Sequence, residues 1–75
     1  MLKKETALQI KERTLSIVAA LDNLLSEIRE QCIDEDFQMI KRGVGLSIGR
    51  IATEILEPIY KQHPEIDDLL DEDEH

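Results

Sequence analysis

With 75 residues the chain has room for one small domain, and a core of that size supplies little stability without a staple. Cys32 is the only cysteine, which excludes an intrachain disulfide and a cysteine-based zinc cluster and leaves oligomerisation as the expected staple. The net charge of −8 is concentrated at one end: seven of the 17 acids lie between Glu65 and Glu74, with no Lys or Arg among them. The body is therefore close to neutral, and a basic face for nucleic acid is not expected.

Phe37 and Tyr60 are the only aromatic residues, so the core must be built from Leu, Ile, Val and Ala. No apolar run approaches the ~18 residues of a membrane span, and no leader-like apolar segment follows Lys3, Lys4 and Glu5. With a single cysteine, a cytoplasmic protein is expected.

From about Lys3 to Gln31 the apolar residues recur with a helical period. The main stripe takes Ala7, Ile10, Thr14, Ile17, Leu21, Leu24 and Ile28, with Val18, Leu25 and Cys32 beside it and Leu8 and Leu15 on the flank. Lys4, Lys11, Arg13, Asp22, Arg29 and Glu30 are assigned to the opposite, wet surface. A stripe this wide suits a bundle better than a narrow two-stranded seam.

A break is expected near Gln31–Asp34, with Asp34 as the N-cap of a second helix and Glu35 and Asp36 complementing its dipole. A turn this short makes the two helices an antiparallel hairpin. One continuous helix through Ile33 is the alternative, since neither Gly nor Pro forces the break.

The second helix is predicted over about Glu35 to Gln62. Its first stripe is Phe37, Val44, Ile48, Ile51, Ile55 and Ile59. A second face carries Met39, Leu46, Gly49, Thr53, Leu56 and Tyr60. A helix apolar on two sides must be covered on two sides, and a hairpin offers only one partner helix. The second face therefore implies another chain. The fold expected is all-α: a hairpin over residues 1–63, dimerising into a four-helix bundle, then a short helical segment and acidic tail over 64–75.

All three glycines, Gly43, Gly45 and Gly49, fall inside this second helix. Each costs about 1 kcal/mol relative to alanine there. A close helix crossing through Gly45 and Gly49, with Ala52 and Thr53 a turn later, is the gain that suits them best. The predicted dimer interface is Met39, Gly45, Leu46, Gly49, Thr53, Leu56 and Tyr60. A flexible hinge at Gly43–Gly45 is the other structural reading. A phosphate-binding loop is disfavoured, because no strand precedes the glycines and no Gly-Lys-Ser/Thr follows.

Pro58 should kink or break the helix, since it lacks a donor and crowds the carbonyl of Glu54. Pro64 suits the first turn of a short helix over Glu65–Leu70, with Ile66, Leu69 and Leu70 as its apolar side. Asp71–His75 is expected to be disordered, and the Glu72-x-x-His75 spacing too isolated for a di-iron site.

The function these features favour is a small, non-catalytic interaction or regulatory protein that pairs with itself, without cofactor, metal, nucleic acid or membrane. Two alternatives come from other classes. One is a bundle binding a small ligand around Arg42, Gly45 and Arg50. The other is an enzyme using Tyr60 and His63, with Glu57 and Asp67 nearby for proton chemistry. Cys32, followed by Asp34, Glu35 and Asp36, is expected to be an inert thiol.

Overall fold

The computed structural model describes residues 1–67, and these form an antiparallel helical hairpin with no strand. Helix α1 spans Lys4–Ile28 and α2 spans Asp34–Ile51. A π-helical turn, Ala52–Leu56, leads directly into a short α3, Glu57–Gln62. A 3-10 turn, Pro64–Ile66, ends the described chain. Of the expected helix over Glu65–Leu70 only the first residues are described, within this turn; Leu69, Leu70 and the acidic tail lie outside the described residues.

The hairpin bend begins where Gln31 and Cys32 both donate to the carbonyl of Ile28, at 2.9 and 3.2 Å. Ile33, not Asp34, is the N-cap of α2; its backbone is extended and its carbonyl accepts from Phe37 at 3.0 Å. No side chain caps this end. Asp34, Glu35 and Asp36 instead fill the first turn, where their charge faces the positive end of the helix dipole.

The seam on α1 runs through Ala7, Lys11, Thr14, Val18, Leu21, Leu25 and Ile28 and continues to Cys32 in the bend, all buried or half-buried. These positions alternate steps of four and three, which is the spacing that keeps one side of a helix against a partner. Ile17 and Leu24, expected on the main stripe, are exposed on its flank. Val18 and Leu25, expected beside it, take the inner positions. Lys11, assigned to the wet surface, is buried.

On α2 the seam begins as expected, with Phe37, Val44, Ile48 and Ile51 turned inward. It then changes register. The next inward residue is Leu56, 8% exposed, while Ile55 is 41% exposed. The cause is the π turn, which inserts one extra residue into the helical spiral. Glu57 there donates to the carbonyl of Ala52, five residues back. The turn ends two residues before Pro58, whose ring in a regular helix would crowd the carbonyl of Glu54. The chain therefore absorbs Pro58 through this π turn, where a kink or a break was expected. After the shift, the inward row is Leu56, Ile59, His63 and Ile66, again in steps of three and four.

The tightest packing lies at the open end of the hairpin. Ala7, Leu56, Ile59 and Ile66 form a buried cluster there, with Leu2, Leu8, Ile10 and Tyr60 packed against it. The shifted register makes this cluster possible, which gives a direct test. Leu56→Ala should destabilise the protein by about 2–4 kcal/mol in chemical denaturation, as for other large core truncations. Ile55→Ala should cost about 1 kcal/mol or less. An unshifted helix requires the reverse order.

Candidate functional site

Two places carry side chains that the sequence singled out: the open end around Tyr60 and His63, and the outer face of α2. The open end is built from three separated pieces of chain. Leu2, just before α1, donates its amide to Oε1 of Gln62 at 2.9 Å and accepts at its carbonyl from Nε2 of His63 at 2.8 Å. Because a carbonyl only accepts, Nε2 of His63 must carry a proton. The other ring nitrogen, Nδ1, stands 3.4 Å from the Glu65 carboxylate.

Lys11 closes the other side. Its Nζ donates to the carbonyl of Ile66 and lies 6.0 Å from the centre of the Tyr60 ring. A buried lysine is tolerable only with such partners for its charge. Tyr60, His63, Lys11 and Glu65 are thus brought together: Lys11 ties α3 and the 3-10 turn to α1, the Leu2 bonds tie them to the segment before it, and the His63–Glu65 contact is local. Glu57 points elsewhere and pairs with Lys61 at 3.7 Å. The arrangement is a clasp: its hydrogen bonds hold main chain in place.

Glu65 reads out the clasp electrostatically. Its carboxyl is held below the ordinary value of 4.5, first by a backbone hydrogen bond at Glu65 itself, against a smaller opposing effect of burial, and then by His63 and Lys4. A depressed acid pKa contributes stability above the unfolded value and loses it as pH falls through the folded one. Glu65→Gln should therefore lower the melting midpoint at pH 6. The gap from the parent protein should close as the pH is taken below about 4. A gap that persists unchanged at pH 3 would mean that the Glu65 charge is not what the substitution removed.

The outer face of α2 is a different kind of surface. Met39 is 63% and Leu46 64% exposed. Thr53 lies exposed in the same file and donates from Oγ1 to the carbonyl of Gly49 at 2.9 Å. Gly45 and Gly49 are exposed as well, and a Cβ built on Gly43, Gly45 or Gly49 meets nothing within 4 Å. None has positive φ, so neither backbone conformation nor packing inside the hairpin requires glycine at these positions. Leu56 and Tyr60, the remaining two of the seven proposed interface residues, do not lie on this face. The π turn carries them into the open-end cluster.

Around the proposed ligand position, Arg42 and Gly45 are exposed and Arg50 pairs with Glu54 at 3.3 Å. A shallow groove does exist, but on the side of α2 next to α1. It is lined by Leu25, Ser26, Arg29, Phe37, Gln38 and Lys41, with the Arg29 guanidinium 5.9 Å from the Phe37 ring centre. The sequence reading missed this groove because it brings together residues from both helices across the bend. Cys32 is half-buried at that bend and forms no disulfide.

Among the described residues no cluster of three or more His, Cys, Asp or Glu is placed to hold a metal, and no helix is long and apolar enough to cross a membrane. Glu72 and His75 lie outside the described residues. No protein-family model, curated protein or solved structure matches the chain.

Proposed function

We propose that this chain is a small, non-catalytic cytoplasmic interaction protein that acts as a homodimeric helical bundle, with α2 at its centre. The observation that carries this reading is the outer face of α2. Met39 and Leu46 stand nearly two-thirds exposed in one file. Three glycines lie in the same helix with open space where their side chains would be. Glycine weakens a helix by about 1 kcal/mol per position, and nothing inside the hairpin uses the absence of those side chains. A second helix laid across this face would use it.

Ile17 and Leu24 on the flank of α1, with Ile40 on α2, add further exposed apolar surface. Apolar surface of this extent on so small a protein marks a contact with another chain. Self-pairing is the simplest partner, because a two-fold interface doubles every favourable contact. It also supplies the staple that a 75-residue chain otherwise lacks.

Leu46→Glu places a charge at the middle of the proposed contact and touches nothing in the hairpin core. Sedimentation equilibrium should show a dimer for the parent chain and a helical monomer for the variant. The dimer affinity should fall by roughly 100-fold, as expected for burying an unpaired charge costing about 3 kcal/mol. A variant that still dimerises like its parent would remove the outer face of α2 from the interface.

A further inference from the structure

The outer face of α2 has a charge order that selects one way of pairing. Glu35, Met39, Leu46 and Arg50 fall within about 60° of one another on the helix, at ~100° per residue. They lie on the side away from Phe37, Val44, Ile48 and Ile51, and all four are exposed. Their spacing is symmetric: four residues from Glu35 to Met39, seven to Leu46, and four more to Arg50. The apolar pair is inside, an acid closes one end, and a base closes the other.

We infer that α2 packs antiparallel on α2 of a second copy, about a two-fold axis passing between Arg42 and Gly43, so that Met39 meets the partner's Leu46 and Glu35 meets the partner's Arg50. This rests on the homodimer reading above and specifies its geometry. The two-fold axis generates each contact twice, giving two apolar pairs flanked by two ion pairs. In a parallel pairing, Glu35 would face the partner's Glu35 and Arg50 the partner's Arg50. Like charges so placed oppose that arrangement.

Two further features fit the antiparallel register. Gly43 lies beside the axis, opposite the partner's Arg42, where open space around the glycine leaves room for the arginine stem. Arg50 already holds Glu54 through Nη2 at 3.3 Å, and its guanidinium fork has further donors to offer a second carboxylate. Glu35, in the first turn of α2, is exposed and lies clear of the hairpin seam.

The test is a charge exchange on the full chain. Glu35→Arg alone and Arg50→Glu alone each turn both interfacial pairs repulsive. Each should raise the dimer dissociation constant by about 10-fold or more, from the modest worth of two exposed pairs and the added repulsion. Circular dichroism should show that both variants keep their helices. Mixing them one to one should restore the parent affinity as a heterodimer, because every cross-pair then joins opposite charges again. Local damage to either helix end cannot be repaired by mixing. A parallel dimer, whose facing charges are already alike in the parent, would not be weakened by either single change. Loss in each variant together with recovery on mixing is therefore specific to this pairing. A parent that dimerises while the mixture binds no better than either variant alone overturns this register and leaves the homodimer standing. Single variants that dimerise as tightly as the parent overturn it too. A parent chain that is monomeric overturns both the register and the homodimer.

Discussion

A two-helix hairpin has one internal seam, and each helix can turn only one side toward it. The rest of this structure follows from that limit. Ala7 through Ile28 on α1, and Phe37 through Ile51 on α2, give up one face each to the seam. What remains apolar, chiefly Met39 and Leu46 on α2 and Ile17 and Leu24 on α1, stays in water. Among the described residues beyond α2, the π turn, α3 and the 3-10 turn are spent on closing the open end.

That closure depends on a local irregularity. Pro58 cannot donate, and its ring needs the preceding carbonyls moved aside. The π turn at Ala52–Leu56 provides this and advances the helix face by one residue. Leu56 then enters the core, and Ile59, His63 and Ile66 follow on the same side. His63 reaches the carbonyl of Leu2, and Lys11 reaches that of Ile66. The polar groups at the open end therefore act as fasteners between main-chain segments brought within reach by the register shift.

Much of the hairpin was legible in the sequence because it rests on periodicity. The bend between Gln31 and Asp34 was suggested by the acidic start of α2 rather than forced by Gly or Pro. Both helices and the inward row from Phe37 to Ile51 follow from spacing. Three things did not. On α1 the rows headed by Ile17 and Val18 are adjacent and equally apolar, and only the position of α2 decides which turns inward. On α2 a constant period carries Ile55 into the core, whereas the π turn substitutes Leu56. The contact between His63 and Leu2 joins residues 61 positions apart, and no local pattern encodes it. The face holding Met39, Leu46 and the glycines was legible because it precedes the π turn. Leu56 and Tyr60 were misplaced because Leu56 ends the π turn and Tyr60 follows it.

The central claim is that the outer surface of the hairpin is completed by a second copy of the same chain. Its most direct measurement is the thermal midpoint of the full chain over a hundred-fold range of protein concentration, followed by circular dichroism. Stability drawn from association rises with protomer concentration by mass action. The account predicts a midpoint that climbs steadily across that range. A midpoint independent of concentration, with the mass of a single chain in solution throughout, would contradict it.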